Sequence, residues 1–381
     1  MVSACFHSSV VAMLVFSGTL VSIVMKITYE TTAEGRDGVE KKFKKPWCVN
    51  LLMCIAMSGA LLKFVYDRRR ERTSREVTSP GASMRLVALK LAFPGFLCLF
   101  GTFLQSSALM WIPVSIYQML QSSVIIFAAL VRFLWMGKRI ARYEACGILL
   151  VALGLSSVGL ASFLSGKNSA NDSPIYLRIV GMSLVLLSQA LLAISGVIEE
   201  RLLQGCGAPA EFVCGMVGAW GVLYALVIFL PLAQILPGTD GEGLREDSID
   251  TLYMIKNSSV VQLCLAAFFV VIFAYNLSMR TLNKITQTTT MQLLGGLRTL
   301  SVWVVALLLY FAWPEYGEEW VWSTWVELGG FIVLICGVFM YRSIVKFPCF
   351  VYPDDDVAKS LSNIHQSQAE NASLADTLVE N

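Results

Sequence analysis

Arg298 is the residue whose position most constrains the chemistry of this chain, because it stands inside the apolar stretch QLLGGLRTLSVWVVALLLYF, residues 292–311. In a helix predicted over 285–311, its backbone lies ~20 Å from the helix start. A guanidinium at that depth in a bilayer is costly unless it faces water, a partner or a ligand. Because no carboxylate is predicted near the centre of any apolar segment, an anionic ligand held through two hydrogen bonds is one interpretation.

A structural interpretation of Arg298 stays open beside the ligand-binding one. Its charge would then pair with Glu327, or with carbonyl groups of a helix broken at Gly295 and Gly296. Two other basic residues lie near predicted helix ends, where long side chains reach the interface. Lys26 either does this or makes a second anion contact, and Arg132 is expected to reach the cytosolic surface.

Neutral polar side chains cluster in four predicted helices and predict the lining of a polar cavity. Hydrogen bonds between helices explain each of them equally well when it is taken alone. The set consists of Gln105, Tyr117, Gln118, Gln121, Asn276, Thr288, Thr290 and Gln292. The candidate substrate-binding residues are therefore Arg298, Gln118, Gln121, Tyr117, Gln292, Asn276, Gln105 and Lys26.

The sequence offers no catalytic motif, no metal-ligand spacing among its ten cysteines and no cofactor signature. The chain is therefore predicted not to be an enzyme, with no catalytic residues, no metal and no cofactor. Proton relays in membranes use buried Asp, Glu or His. His7 and His365 lie near the termini, and Glu199 and Glu327 are placed near helix ends. Exchange or facilitated movement is favoured over proton coupling.

The apolar segments must position these residues within a membrane. The chain has 381 residues, of which 56% are hydrophobic and only 15% are charged. Its apolar residues fall in blocks of about twenty, the length that spans a bilayer as a helix. Net charge is only +2, so nucleic acid is an unexpected partner. Ten spans are predicted, over residues 5–28, 47–66, 88–110, 113–136, 143–164, 175–199, 211–236, 259–280, 285–311 and 322–345.

Loop charges predict that both termini are cytosolic, since Lys and Arg accumulate on that side. The loops after the second, fourth, eighth and tenth spans are basic. Arg280 is assigned to the loop after the eighth span. The opposite loops are more acidic, except EGRDGVEKKFKKP, residues 34–46. Glycosylation sequons at Asn171 and Asn257 fall on the predicted luminal side. Residues 351–381 are predicted to be a disordered cytosolic tail.

An internal repeat predicts the architecture. GILLVALG, residues 147–154, matches GFIVLICG, residues 330–337, and QMLQSSVIIFAALV in the fourth span resembles QLLGGLRTLSVWVV in the ninth. Five helices repeated once must insert the second copy upside down, and the equivalent loops GKRIAR and PEYGEE do differ in charge. The expected fold is all-α, with two inverted five-helix repeats over 1–170 and 171–350 and a midplane site.

The chain also resembles the drug/metabolite transporter superfamily, in its ten-helix EamA-like group, and looks closest to the F-type branch of solute carrier family 35. The resemblance rests on VSIVMKITYETTAEG, SIYQMLQSSVIIFAALV, LGLSSVGLASFLS, SGVIEERL and LRTLSVWVVALLL. It implies an endomembrane transporter (lysosome, vacuole or Golgi) that works by alternating access. Gln121 and Ser122 depart from the basic residue and glycine expected in the fourth-span motif, which puts the cargo in doubt.

Three hypotheses follow for the function. The first is a transporter of an anionic metabolite or nucleotide-sugar-like cargo that contacts Arg298. The second is an exporter of cationic drugs or peptides, which the absence of a central carboxylate disfavours. The third is a non-transporting scaffold that binds partners through its basic second loop and its tail. The expected partners are a small-molecule substrate and the lipid bilayer, and a homodimer is left open.

Overall fold

The computed structural model describes residues 2–74, 81–136, 141–164, 174–205, 208–235, 246–285, 298–299, 301–302, 304–305, 307–310, 322–341 and 343. Several predictions fall outside the described residues. They concern Gln292, Thr288 and Thr290 of the polar set, the Gly295–Gly296 pair, the sequon at Asn171 and the tail from residue 351. These remain sequence predictions.

The described chain is helical apart from one hairpin. Residues 298–299, 301–302, 304–305 and 307–310 are also helical and precede the last helix. The elements in chain order are α1 (Val2–Glu30), β1 (Thr32–Glu34), β2 (Glu40–Lys42), α2 (Pro46–Ser58), α3 (Ala60–Ser74), α4 (Gly81–Lys90), α5 (Ala92–Ala108), α6 (Val114–Gln121), α7 (Val124–Met136), α8 (Arg142–Leu164), α9 (Ile175–Gly205), α10 (Ala210–Tyr224), a π-helical turn (Ala225–Phe229), α11 (Leu230–Ile235), α12 (Ser248–Asn257), α13 (Ser259–Ile285) and α14 (Trp322–Tyr341).

Nine segments within the described residues are long and apolar enough to cross a membrane. They overlap the predicted spans one to eight and ten, so the polytopic α-helical class is confirmed. The predicted ninth span, 285–311, is described only in part, and the total of ten stays a prediction. Several spans consist of two consecutive helices, with interruptions at Gly59, at Leu91 and at the Ser122–Ser123 pair.

The helices pack in pairs, and each main pair joins a helix of the first half of the chain to a helix of the second half. The main pairs are α1 with α13, α5 with α9, α2 with α10 and α8 with α14. If the second five spans repeat the first five, α1 corresponds to α9 and α5 corresponds to α13. The pair α1–α13 is then equivalent to the pair α9–α5. The other two pairs each join a helix to its own counterpart, as a two-fold axis between the halves would require.

The repeated glycine motifs meet at the crossing of α8 and α14. A Cβ added to Gly154 would lie 2.7 Å from the carbonyl oxygen of Gly330, and one added to Gly330 would lie 3.0 Å from that of Gly154. One added to Gly337 would lie 2.9 Å from the carbonyl oxygen of Gly147. Small residues let the two backbones approach this closely, as is common between membrane helices.

Substituting Gly154 by alanine is expected to destabilise the protein, because the new methyl group meets backbone atoms of α14 that cannot rotate away. Overpacking of this kind typically costs about 1–3 kcal/mol. Gly159 lies on the same helix, and an added Cβ there would meet nothing within 4 Å. Thermal unfolding in detergent should therefore separate Gly154→Ala from Gly159→Ala. Equal unfolding temperatures for the two variants would contradict the tight crossing.

A clamp at the hairpin end of the bundle joins the two halves of the chain. The antiparallel β1–β2 hairpin pairs Ala33 with Lys41, and it precedes the start of α2. Asp250 of α12 accepts the backbone N–H of Arg36 at 2.9 Å and pairs with Lys41 and Lys45 at 2.9 Å each. The carboxylate of Glu246 accepts the backbone N–H groups of Trp47 at 2.9 Å and Cys48 at 3.1 Å.

This clamp explains the basic segment at residues 34–46, which is the exception to the predicted loop charges. Lys41 and Lys45 are held by Asp250, and Lys42 pairs with Glu30 at 2.5 Å. Each of the three is therefore paired with a carboxylate within the protein. The hairpin itself adds a small sheet to the expected all-α fold, and no periodic pattern in the sequence predicted it.

Candidate functional site

A cavity of about 410 Å³ lies within the helical bundle. Its described walls come from α1, α2, α5, α6, α7, α9, α13 and α14 and from residues 298–299. Five of the predicted binding residues line it, namely Gln105, Tyr117, Gln121, Asn276 and Arg298. The fold therefore brings together five of the predicted residues from four separate segments of the chain. Their role in binding stays a prediction.

Two predicted residues lie elsewhere, and one cannot be placed. Gln118 is fully buried, and its amide nitrogen donates to the hydroxyl of Ser22, so it joins α6 to α1. The Nζ of Lys26 lies 3.5 Å from the Oε1 of Glu30 and 3.4 Å from the carbonyl oxygen of Leu109. Neither residue is part of the cavity lining. Gln292 lies outside the described residues.

Arg298 is held over the cavity by two neutral partners. Its Nη1 donates to the hydroxyl of Tyr275 at 2.6 Å, and its Nη2 donates to the Oε1 of Gln121. Its Cζ also lies 5.5 Å from the ring centroid of Tyr275. Within the described residues, no carboxylate forms an ion pair with this guanidinium. Its positive charge is therefore held in place without a protein counter-charge in that part of the chain.

The remaining donors of Arg298 suit an anion. A guanidinium has five N–H donors in a planar fork that matches a carboxylate or a phosphate. Two of them are used by Tyr275 and Gln121, the Nε is buried without a hydrogen-bond partner among the described residues, and the second N–H of each Nη remains. Gln121 is one of the two residues for which the sequence analysis expected a departure from the superfamily motif. The structure shows that its amide oxygen orients Arg298.

Gly18 of α1 provides the space that Arg298 occupies. A Cβ added to Gly18 would lie 2.6 Å from the Cδ of Arg298 and 3.0 Å from the Cε2 of Tyr275. Sequence reasoning missed this residue, because a glycine in an apolar helix has no distinguishing pattern. Its position follows only from the packing of α1 against α13 and the helical residues at 298–299.

Replacing Gly18 by alanine is expected to displace the Arg298 side chain and weaken anion binding. A strain of about 1–2 kcal/mol corresponds to about a five- to thirty-fold loss of affinity. Gly196→Ala is the matched control, since an added Cβ there meets nothing within 4 Å. The measurement is the dissociation constant of a transported anion for each purified variant. An unchanged affinity in Gly18→Ala would show that Arg298 does not need this space.

A second charged group on the cavity wall was placed wrongly by the sequence analysis. Arg280 was assigned to a loop and Glu199 to a helix end, yet α13 continues to Ile285 and α9 to Gly205. Both side chains are buried and line the cavity, and the Nη2 of Arg280 lies 3.3 Å from the Oε2 of Glu199. The helices continue past these charges because each residue finds its counter-charge inside the bundle.

A third arginine, Arg132, also lies on the cavity wall. Its Nη2 donates to the Oε2 of Glu200 at 2.8 Å, and both side chains are partly exposed. The described lining therefore contains three arginines and two glutamates, with no lysine or aspartate. Two arginines are paired with the glutamates, so the described part of the cavity carries one excess positive charge, that of Arg298.

The cavity offers no grouping for metal chemistry in the part of the chain that the structure describes, where no three His, Cys, Asp or Glu side chains converge. Its polar groups are amides, hydroxyls, guanidinium groups and two carboxylates that can bind and release a solute. An apolar wall from residues such as Val21, Met25, Phe268 and Ile272 completes it. This combination is typical of a binding site for a small organic molecule.

Comparison with known proteins agrees with this geometry. A profile of the EamA-like transporter family matches residues 39–160. Solute carrier family 35 member F6 of Mus musculus is 26% identical over 341 residues, which cover 87% of each chain. The Homo sapiens protein of the same name is 25% identical over 336 residues, with the same coverage. The chain is therefore similar to EamA-like transporters.

Further similarities extend this comparison. The chain is 25–26% identical to several proteins named solute carrier family 35 member F6, so it resembles the F-type branch of that family. An uncharacterized protein of Schizosaccharomyces pombe is 28% identical over 269 residues, covering 68% of this chain and 75% of the relative. A solved crystal structure shares the fold, with a TM-score of 0.50 and 15% identity over 89% of this chain and 99% of its own. Together with the nine apolar segments among the described residues, these similarities support a multi-pass membrane protein related to transporters of small solutes.

Proposed function

We propose that this EamA-like protein carries an anionic organic metabolite, such as a nucleotide-sugar-like solute, across an internal membrane by alternating access. The observation that carries the proposal is Arg298 on the cavity wall. Its guanidinium is held by Tyr275 and Gln121 and is not paired with any carboxylate among the described residues. An anionic group on the solute supplies the missing counter-charge and binds through the guanidinium N–H groups that remain.

Alternating access is supported by the symmetry of the helix packing, in which the same pairs recur when the two proposed repeats are interchanged. The pairs α1–α13 and α5–α9 are equivalent if residues 1–170 and 171–350 are inverted repeats. The glycine motifs of α8 and α14 likewise meet each other at equivalent positions. In transporters built from inverted repeats, the substrate site lies between the halves, and rocking of one half against the other exposes it to each side in turn.

The hairpin end of the bundle is the closed side in this conformation. The clamp at Asp250 and Glu246 joins residues 36–48 to residues 246–250, so each contact crosses between the proposed repeats. Toward the opposite end, the cavity is lined by Arg132 and Glu200, whose side chains are 22% and 31% exposed. If both termini are cytosolic, this is a cytosol-facing state with its luminal gate shut.

The experiment that tests the proposed function is counterflow into liposomes that contain the purified full chain. The panel contains inorganic phosphate, L-malate, L-glutamate, AMP and UDP-glucose as anions, and tetraethylammonium and a basic dipeptide as cations. Accumulation of at least one labelled anion, and of neither cation, is expected. Cation accumulation would favour the exporter of cationic drugs or peptides, for which Glu199 and Glu200 would supply the negative charge.

The scaffold hypothesis makes a different prediction in the same system. A non-transporting protein moves no solute of either class and binds its partners through the second loop and the tail. The cavity and its oriented arginine favour transport, because a scaffold has no need for a charged group inside the bundle. Partner binding that persists after deletion of the loop and the tail would count against the scaffold.

A further inference from the structure

A chain of polar contacts runs along the cavity wall from Arg298 to Gln105. The Nη2 of Arg298 donates to the Oε1 of Gln121, and the side chain of Gln121 also interacts with the hydroxyl of Tyr117. That hydroxyl donates to the Oε1 of Gln105 at 3.2 Å. All four residues line the cavity. The guanidinium is therefore connected, through two neutral side chains, to an amide on another helix of the wall.

The chemistry of arginine fixes the direction of these contacts. A guanidinium donates hydrogen bonds and accepts none, so the amide of Gln121 must present its oxygen to Arg298 and its Nε2 to the hydroxyl of Tyr117. The phenol oxygen then accepts from this nitrogen, and its O–H donates to the Oε1 of Gln105. Because the oxygen of Gln105 faces Tyr117, its Nε2 is the atom that remains for another partner.

The Nε2 of Gln105 is a hydrogen-bond donor that the protein leaves open to the cavity. It donates to no acceptor within the described residues, and Gln105 is part of the cavity lining. It also differs from the Nε of Arg298 and the Oε1 of Gln118, which are unpartnered but sealed within the protein. A donor in this position requires an acceptor from water or from a ligand, because an unmade hydrogen bond costs free energy.

Asn50 of α2 supplies an acceptor on the same part of the wall. Its Nδ2 donates to the carbonyl oxygen of Pro46 at 2.7 Å and to the Oγ of Ser106 at 3.0 Å, so both of its N–H groups are turned into the protein. Its Oδ1 has no partner in the described part of the chain, and Asn50 lines the cavity. Ser106 directly follows Gln105 on α5, so the bond to Ser106 holds Asn50 in the region of the Gln105 amide.

We propose that Gln105 and Asn50 form a neutral subsite of the cargo cavity, which binds a hydroxyl or carbonyl group of the solute while Arg298 binds its anionic group. A hydroxyl accepts from the Nε2 of Gln105 and donates to the Oδ1 of Asn50, whereas a carbonyl uses the first contact alone. Gln121 and Tyr117 are positioning residues for this subsite, since they fix which atom of Gln105 faces the solute.

This inference rests on the proposed function and narrows the class of its cargo. The solute is then an organic anion whose hydroxyl or carbonyl group is separated from its charge by the span of the Gln121 and Tyr117 side chains. A plain aliphatic acid leaves Gln105 without an acceptor, and a site built to hydrogen-bond a solute discriminates against one that lacks the group. Asn50 was not among the residues that the sequence predicted.

The direct test compares solutes that differ only in a terminal hydroxyl group. Dissociation constants of butyl phosphate, 4-hydroxybutyl phosphate, hexanoate and 6-hydroxyhexanoate are measured by calorimetry on the purified full chain. The hydroxyl preference is the ratio of the two constants within a pair, so a general loss of folded protein cancels. Gln105→Met has a similar volume but no side-chain N–H group. It is expected to reduce the preference about three- to tenfold, the usual effect of losing one neutral hydrogen bond, while the unhydroxylated solute keeps its affinity.

Two further variants make this test specific. Gln262→Met is the matched control, since Gln262 is an exposed glutamine of α13 that donates to the carbonyl oxygen of Ile255 at 2.8 Å and lies outside the cavity lining. Its hydroxyl preference is expected to equal that of wild type. Tyr117→Phe keeps the ring but removes the hydroxyl, so the amide of Gln105 can turn. The preference is then expected to fall although Gln105 itself is unchanged.

The outcomes separate this proposal from the proposed function. A hydroxyl preference that is equal in wild type and Gln105→Met would overturn the neutral subsite, while anion binding at Arg298 would stand. An unchanged preference in Tyr117→Phe would overturn the positioning role of Tyr117. If neither the phosphates nor the carboxylates bind to wild type, the proposed function fails, and the subsite fails with it.

Discussion

Replacing Arg298 by glutamine is expected to weaken the binding of a transported anion by about 10- to 100-fold, because hydrogen bonds to a charged group contribute about 1.5–3 kcal/mol. Glutamine retains a hydrogen-bond donor but removes the charge and the planar fork. Since Tyr275 and Gln121 lose their donor as well, the cavity wall also loses its order. The measurement is the dissociation constant of the purified variant, compared with that of wild type.

Arg298→Lys separates charge from geometry in the same assay. Lysine keeps the positive charge but cannot bind two oxygen atoms in a planar fork while contacting both Tyr275 and Gln121. An affinity between those of wild type and Arg298→Gln is expected. Wild-type affinity in Arg298→Gln, with the protein correctly folded, would assign Arg298 a structural role and move attention to Arg280.

Replacing Asp250 by asparagine is expected to destabilise the hairpin end by about 3–5 kcal/mol, the usual effect of removing one partner from a buried ion pair. The side chains of Asp250 and Lys45 are 1% and 2% exposed, so Lys45 would be left charged and buried. Asp67 on α3 is exposed, and Asp67→Asn serves as the control. Unfolding in denaturant measures the difference, and equal stability of the two variants would contradict a structural clamp.

The pH dependence of this clamp follows from the same contacts. Burial raises the pKa of the Asp250 carboxyl, but the backbone N–H of Arg36 and the ammonium groups of Lys41 and Lys45 outweigh it and lower the pKa to about 2. An unfolded aspartate titrates near ~3.9. The stabilisation is therefore present above about pH 4 and is lost as the pH falls toward 2. The clamp should thus persist in mildly acidic solution.

The sequence predicted the helical elements and part of the cavity lining for a physical reason. A membrane span leaves a long apolar signal, and a polar residue inside it must face a partner or a cavity. That reasoning located Arg298, Gln121 and Tyr117 on one cavity wall. It also predicted that the motifs at 147–154 and 330–337 are related, and the structure brings them together.

What the sequence could not predict depends on contacts between distant residues. Charges near a span end were interpreted as loop charges, since nothing local shows that Arg280 and Glu199 neutralise each other across α13 and α9. Gly18 appeared to be one more small residue of an apolar helix. The lysines at 41 and 45 contradicted the loop-charge rule until Asp250 was found about 200 residues away. One sequence signal could have indicated the ion pair of Arg280 and Glu199, namely that both charged residues lie at the predicted end of a span.

The central claim is that the charge of Arg298 binds the cargo, and counterflow of the anion panel in wild type and Arg298→Gln, side by side in liposomes, tests it most directly. The account predicts that wild type accumulates at least one labelled anion and that Arg298→Gln does not, although both proteins insert and fold equally well. Anion accumulation that is equal in the two proteins would contradict it.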